Sequence, residues 1–441
     1  MNHSQSAALF TANSRHIPGG VVSLNRKVSP EIAFVRGEGA YLWDADGNRY
    51  VDYHAAFGPY LLGHGDPEIE DAVIAAVHAG HTLTGSGTTP WEGEAAELLC
   101  SCVPTLDQVL LMNTGSEATY TAIRLARAAT QRQHVVVMQG GYNGWHDYVA
   151  CNVMTPLDQL IDGPAENEYP FVGMSTGMAE TVPQYVHVVE FNSLAAVRAA
   201  FERYPVACLI TEPILQNIGV VKPSPGYLAG LQALCHEFGV VFVLDEVKTG
   251  FRHALAGYHS LEGLRPDLVV FGKAIANGYP VGALGGKASL MALFTDPDLA
   301  KRVMIAGTYN GHPIPLAAAI ATMRKLRRDA ATLYPALESR SARLADGMQD
   351  RFDRYGQPCV MSRQASAMAP YFMDHAPTSW RDLALHHDFT IDLALRRALV
   401  ERGIYILPLA TKQISVSSAH TDADIDATLD ALDEVLRIGL T

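Results

Sequence analysis

The sequence lacks any long uninterrupted apolar run, although 48% of its 441 residues are hydrophobic. No stretch approaches the ~20 apolar residues that a membrane-spanning helix needs. The N-terminus has no basic start followed by an apolar block, as a secretory signal would have. We therefore expect a cytoplasmic protein without a membrane partner, with enough apolar residues to bury a large core.

Cysteine is scarce and positive charge is in deficit. The six cysteines show no paired spacing typical of a metal site, and their apolar neighbours favour buried free thiols in a reducing compartment. The formal net charge is −13, which disfavours nucleic acid and anionic membranes as partners. The sequence thus predicts neither a metal site nor a nucleic-acid partner.

Short apolar runs alternate with helix-like stretches, which predicts an α/β protein with a mainly parallel sheet. Four of these runs are continuous, as in strands that are covered on both faces. They span residues 134–139, 206–214, 239–247 and 267–272. Because ligands gather outside the carboxyl ends of such strands, we expect the functional residues there.

The two ends of the chain differ in character from the middle. Residues 39–53 favour a hairpin that turns at Asp46-Gly47, and the last third is rich in helical patterns. We expect three segments: residues 1–70 and 314–441, which together form a smaller domain, and residues 71–313, which form a large cofactor-binding domain.

A phosphate group is the first ligand that the sequence suggests. Gly115 and Ser116 come just before an apolar helical stripe. A glycine and a hydroxyl at a helix N-terminus make an anion site, because free N–H groups and the positive end of the helix dipole face the ligand. The alternative is an ordinary helix N-cap. Gly307-Thr308 offers a second pair of this kind.

Two residues after strands suit a flat ring that contains nitrogen. Tyr142 follows two glycines, so its ring can stack on a ligand; a core tyrosine is the alternative. Asp245 ends the most apolar run and needs a cationic partner, such as a protonated pyridine nitrogen. A metal ligand or a helix-capping acid is the alternative, but no cluster at metal spacing surrounds it. Val247, on the same strand face, could support the ring opposite Tyr142.

Lys273 is the candidate nucleophile. It lies between an apolar strand and a glycine-rich turn, where partial desolvation lowers the pKa of the amine and makes it reactive toward an aldehyde. A solvated surface lysine is the alternative. Lys248 is a rival nucleophile, but it flanks Asp245 on the same segment and could hardly reach the other end of a ring.

Taken together, these motifs closely resemble class III aminotransferases of pyridoxal-phosphate fold type I, and in particular the glutamate-1-semialdehyde aminomutase-like branch. The resemblance runs over nearly the whole chain. It implies a large domain with a mainly parallel seven-stranded sheet, a smaller α+β domain from both termini, pyridoxal 5'-phosphate as cofactor, and a homodimer with active sites at the interface. The motifs that carry it include NTGSEAT, YNGWHD, EPILQN, LDEVKTGFR, FGKAIANGYPVGALGG and GTYNGHP.

The resemblance also implies a role for single residues of these motifs. By it, Lys273 is the internal aldimine lysine and Asp245 binds the ring nitrogen. The other implied cofactor residues are Gly115 and Ser116 at the phosphate, Tyr142 over the ring, Asn217 near the ring hydroxyl, Glu212 in a Glu-Pro pair that shapes the pocket, and Thr308 at the phosphate of the neighbouring subunit.

The substrate side departs from the aminomutase branch. An arginine at the position of Arg26 receives the substrate carboxylate there, a task that suits a planar guanidinium; a surface arginine is the alternative. Lys412 stands where that branch carries a glutamate, which favours an additional anionic group on the substrate. The segment 154–182 also differs from the aminomutase gating loop.

Both departures disfavour the aminomutase reaction itself. We therefore expect an aminotransferase that moves an amino group between a small-molecule donor, an amino acid or amine, and a 2-oxo acid acceptor. An aminomutase or an amino-acid racemase on the same scaffold is the alternative, and a non-catalytic binding protein is a third possibility.

Overall fold

The structure is a computed structural model that describes residues 1–160 and 168–440. Part of the segment 154–182, residues 161–167, thus lies outside the described residues. The chain divides into two compact units. The terminal unit comprises Met1–Pro67, Pro335–Ala376 and His386–Thr441, and the central unit comprises Glu68–Tyr334 and Pro377–Leu385.

This division differs from the segments expected from sequence at both boundaries and in one short piece, the first boundary falling after Pro67 rather than after residue 70. The second boundary falls at Pro335, inside the helix Pro313–Arg354, rather than at 314. The short piece Pro377–Leu385 belongs to the central unit although it lies late in the chain.

Helices occur along the whole chain, and most carry one apolar face. The α-helices of the described residues are α1 (Ser4–Asn13), α2 (Pro67–His78), α3 (Pro90–Cys102), α4 (Gly115–Thr130), α5 (Leu194–Arg203), α6 (Tyr227–Phe238), α7 (Ala288–Met291), α8 (Pro313–Arg354), α9 (Trp380–His386), α10 (Phe389–Val400) and α11 (Asp422–Ile438). None of the described helices is long and apolar enough to cross a membrane.

The strands belong to three sheets. They are β1 (Phe34–Glu38), β2 (Tyr41–Asp44), β3 (Arg49–Asp52), β4 (Gln108–Met112), β5 (His134–Met138), β6 (Val186–Val189), β7 (Val206–Thr211), β8 (Val241–Asp245), β9 (Leu268–Phe271), β10 (Gly282–Gly286), β11 (Val360–Gln364), β12 (Ala367–Tyr371), β13 (Ile404–Tyr405) and β14 (Ile414–Ser415).

The central unit is built on a seven-stranded sheet with the order β4-β10-β9-β8-β7-β5-β6. Only β10 runs antiparallel to its neighbours; β9, β8, β7, β5 and β6 are parallel to one another. The four continuous apolar runs form β5, β7, β8 and β9, and every residue of β7, β8 and β9 is buried. The predicted mainly parallel sheet is therefore confirmed.

The terminal unit contains the two smaller sheets. The predicted hairpin is present, since β2 and β3 pair antiparallel on either side of Asp46-Gly47. β13 adds to this hairpin in parallel with β3, which gives a sheet of order β1-β2-β3-β13. The other sheet has the order β11-β12-β14.

Candidate active site

Three charged side chains follow neighbouring parallel strands of the central sheet. Glu212 comes directly after β7, Asp245 is the last residue of β8, and Lys273 comes two residues after β9. Because the carboxyl ends of parallel strands meet at one edge of a sheet, these side chains lie together, as predicted. Asp245 and Glu212 are 3% and 2% exposed, so both carboxylates are removed from solvent.

Asp245 is held by two hydrogen-bond donors. The side-chain amide of Asn143 donates to Oδ2 at 2.9 Å, and the backbone N–H of Val247 donates to Oδ1 at 2.9 Å. Burial raises the pKa of Asp245, while these two donors and the charge of Lys273 act in the opposite direction. The result is an oriented buried acid, and the two donors and the nearby cation only partly offset the effect of burial on its pKa.

Lys273 begins a short 3₁₀ turn and has a backbone φ of 49°, in the left-handed region that few residues other than glycine adopt. Such strain tends to occur at functional sites, where the surrounding structure enforces it. Burial lowers the pKa of Lys273, and the charges of Asp245 and Glu212 partly oppose this effect. A lowered pKa leaves more of the amine in its neutral, nucleophilic form.

Helix α4 begins at Gly115, and its capping is done by the preceding residue. The Thr114 hydroxyl accepts from the backbone N–H of Glu117, and the Glu117 carboxylate accepts from the backbone N–H of Thr114, each at 3.2 Å. The N-cap of α4 is therefore Thr114, and not Gly115 or Ser116. The N–H groups of Gly115 and Ser116 lie in the first turn, which has no intrahelical partners to offer them.

The start of α4 packs closely on Val247. A β-carbon at Gly115 would lie 2.7 Å from one methyl group of Val247, so a larger residue would not fit without a shift. A β-carbon at Gly272 would lie 3.3 Å from the other methyl group. Val247 thus fills the space between the helix N-terminus and the turn of Lys273.

Tyr142 and Asn217 are both tied to Glu212. The backbone N–H of Tyr142 donates to Oε1 at 2.9 Å, and the side-chain amide of Asn217 donates to Oε2 at 3.1 Å. Tyr142 is only partly buried, unlike a core tyrosine. Burial and the charge of Asp245 raise the pKa of Glu212 to about 7. Glu212 therefore positions residues on two different loops.

Thr308, Arg26 and Lys412 are the remaining predicted residues. Thr308 lies in a cavity of about 430 Å³ that is lined also by the glycine-rich loop 82–87. Arg26 and Lys412 belong to the terminal unit. Arg26 is exposed at the end of a 3₁₀ turn, and the backbone carbonyl of Lys412 accepts from the buried Arg396 at 2.8 Å.

Sequence reasoning missed Asn143 as a partner of Asp245 and treated Lys248 only as a rival nucleophile. Asn143 follows Tyr142 in the same loop, so a polar residue at that place is the one signal that could have indicated it. Lys248 is buried, and its Nζ donates to the backbone carbonyl of Gln216 at 2.7 Å. Its ammonium group is thus engaged in the protein interior.

Residues 23–436 match the family described as Aminotransferase class-III. A glutamate-1-semialdehyde 2,1-aminomutase of Chloroflexus aggregans is 38% identical over 442 residues, which cover 98% of this chain and 97% of that protein. An omega-transaminase from Sphaerobacter thermophilus has a similar structure, with a TM-score of 0.91 and 27% identity over 99% of both chains.

A glutamate-1-semialdehyde-aminomutase variant from Pseudomonas aeruginosa, solved in complex with PMP, gives a TM-score of 0.87 at 25% identity and covers 100% of this chain and 95% of its own. The fold and the matches together define a pyridoxal-phosphate-dependent enzyme of fold type I. The chain belongs to the class III aminotransferase family. Its aminomutase relatives favour the alternative given from sequence over a plain aminotransferase.

Proposed function

We propose that this enzyme is an aminomutase that moves an amino group between two carbons of one substrate, as its relatives named glutamate-1-semialdehyde 2,1-aminomutase are described to do. The observation that carries the proposal is the 38% identity to such a relative over nearly the full length of both chains. The coarser function, amino-group transfer by a class III enzyme, follows from the family itself.

The cofactor is pyridoxal 5'-phosphate, and the residues at the strand ends fit it. Gly115 carries no side chain at the start of α4, and its close packing on Val247 excludes one there, as suits a phosphate bound by N–H groups. The buried acid Asp245 suits a protonated ring nitrogen, and the partly buried ring of Tyr142 suits stacking on a flat heterocycle.

Each residue then has a definite task. When bound, pyridoxal 5'-phosphate acts as an electron sink for the carbon that carries the amino group. Asp245 keeps the ring nitrogen protonated, and Asn143 keeps Asp245 charged and oriented. Lys273 Nζ would hold the cofactor and, as a base, would move a proton from the substrate carbon to the cofactor. Glu212 holds Tyr142 and Asn217, which would line the site of the ring.

On the substrate side we propose that Arg26 binds the substrate carboxylate through its guanidinium group. Lys412 supplies positive charge for a further anionic group, where the aminomutase branch has an acid. A homodimer with Thr308 near the phosphate of the neighbouring subunit, and a cytoplasmic location, stay predictions.

An acceptor-dependence experiment tests the proposed reaction. Purified holoenzyme is given glutamate-1-semialdehyde alone, and the formation of the isomeric amino acid is followed. An aminomutase converts this substrate without any 2-oxo acid, because the amino group returns to the same carbon skeleton. Conversion that occurs only when a 2-oxo acid is added would overturn the proposal.

An aminotransferase is the second candidate, and Lys412 is the residue that favours it. A positive charge in place of an acid changes which substrate fits, and an omega-transaminase from Sphaerobacter thermophilus has a similar structure. A panel of amino donors, each mixed with pyruvate or 2-oxoglutarate, distinguishes this candidate. Product formation that requires both substrates would support it.

A further inference from the structure

Lys248 lies inside the central unit, three residues beyond the end of β8, and is 8% exposed. An ammonium group at such a place is unfavourable unless hydrogen bonds and opposite charge compensate it. One compensating contact is the hydrogen bond of 2.7 Å from Nζ to the backbone carbonyl of Gln216. A residue kept charged in the interior calls for a physical reason.

Gln216 connects Lys248 to the candidate active site. The backbone N–H of Gln216 donates to Oε2 of Glu212 at 3.3 Å, and the backbone carbonyl of Gln216 accepts from Lys248 Nζ. Its side-chain amide donates to Nε2 of His253 at 2.8 Å. Burial, and then the charge of Arg252, lower the pKa of His253 to about 3, so this imidazole is neutral and can accept. Gln216 is therefore fixed from three sides.

The charges around Glu212 also connect Glu212 with Lys248. Burial and the charge of Asp245 raise the pKa of Glu212 to about 7, while Lys248 and the donors Tyr142 and Asn217 act against this rise. The charged and titratable groups that interact with Glu212 are Asp245, Lys248, Lys273 and Tyr142. Glu246 interacts with Asp245, and Arg252 interacts with Lys273. His253 lies beside Gln216.

We propose that Lys248 is a positioning residue of the active site, which keeps Glu212 as a carboxylate by its own positive charge and by the hold on Gln216. A charged Glu212 accepts from Tyr142, Gln216 and Asn217 at once. A protonated Glu212 would carry an O–H donor of its own. It would then face three other donors, and part of this hydrogen-bond arrangement would be lost. This inference rests on the proposed function, since it takes Glu212 to be part of the cofactor pocket.

The test compares holoenzyme variants by two pH profiles, that of kcat/KM and that of the visible absorption of the bound cofactor. Lys248→Gln keeps a donor for the Gln216 carbonyl but removes the charge, and Lys248→Met removes both. We expect the acidic limb of both profiles to move to higher pH by at least about one unit, the effect of losing a nearby opposite charge. Lys287→Met, which deletes an exposed lysine paired with Asp267, should move neither.

Glu212→Gln completes a double-mutant cycle. If Lys248 acts through Glu212, Lys248→Gln causes no further pH shift in the Glu212→Gln background. Unmoved profiles in both Lys248 variants, a shift that persists without Glu212, or a Glu212→Gln profile identical to that of the wild type would each overturn the inference. A wild-type protein that binds no cofactor and transfers no amino group would instead overturn the proposed function.

Discussion

Asn143 and Asp245 are joined by a hydrogen bond of 2.9 Å between the side-chain amide of one and Oδ2 of the other, although 102 positions separate them in the chain. Both side chains are buried. The Val247 N–H donates to the other carboxylate oxygen, so Asn143 and Val247 together fix the orientation of Asp245.

Asn143→Ala should therefore weaken the enzyme without removing its catalytic groups. Losing a hydrogen bond to a charged group costs about 1.5–3 kcal/mol, or about ten- to a hundredfold in cofactor affinity or rate. Asn143 also lowers the pKa of Asp245, so its loss should move the acidic limb of the pH profile to higher pH. Equilibrium dialysis and pH–rate measurements check this. Asn192→Ala, which deletes side-chain hydrogen bonds to the backbone carbonyls of Lys222 and Thr378, should change neither.

Gly115→Ala should reduce cofactor affinity by about tenfold or more. The new methyl group would meet Val247 at 2.7 Å, and such overpacking costs about 1–3 kcal/mol. Val247→Ala in the same chain should restore part of the loss by making room. Gly93→Ala is the matched control, because a β-carbon there, also within a helix, meets nothing within 4 Å. Equal affinities of the Gly115 and Gly93 variants would contradict the packing argument.

Lys273→Ala should abolish turnover, with a loss of at least about a hundredfold from missing proton transfer alone. It should also prevent covalent retention of the cofactor. Borohydride reduction of the wild-type holoenzyme followed by peptide mapping should find the modification on Lys273. A modified Lys248 peptide would show that the nucleophile was assigned to the wrong lysine.

His420 should make the protein sensitive to acid. It is buried in the terminal unit, its Nδ1 accepts from the Ser417 N–H at 3.0 Å, and Tyr53 stacks on its ring. Burial lowers its pKa to about 4. For a histidine with a lowered pKa, the stabilisation is complete above the unfolded value, near 6.5, and is lost as the pH falls toward 4.

His420→Asn replaces the accepting nitrogen by an amide oxygen and removes the titration. The variant should be less stable than the wild type near neutral pH, because the stacking contact is lost. This difference should shrink by up to about 2 kcal/mol at about pH 5. Thermal unfolding at the two pH values checks it, with the exposed His236→Asn of α6 as control. A difference that is constant with pH would contradict the assignment.

The strands that carry the site could be predicted from sequence because each is a continuous apolar run that ends in a polar residue. β10 could not. Its segment GALGG is rich in glycine, which is disfavoured in strands. In the structure these glycines are needed: a β-carbon at Gly282 would lie 2.3 Å from the carbonyl oxygen of Thr114.

The ionisable residues of the site were likewise easier to predict than the residues that hold them in position. Asp245 and Lys273 are ionisable groups at the ends of apolar runs, which is visible in one dimension. Asn143 and Gln216 are neutral amides whose partners lie far away in the chain, so only the folded geometry reveals what they hold. The position of Pro335 could not be predicted from sequence either, because it lies inside a helix although proline usually ends one.

The pairing of β13 with β3 has a consequence for how the protein is made. Strand β3 emerges from the ribosome early, whereas Ile404 and Tyr405 of β13 follow only after the whole seven-stranded sheet has been synthesised. Until then one edge of β3 carries unsatisfied backbone groups, a template for unwanted association. Chains truncated before residue 404 are therefore expected to precipitate, and slow translation of the last third should increase the need for a chaperone.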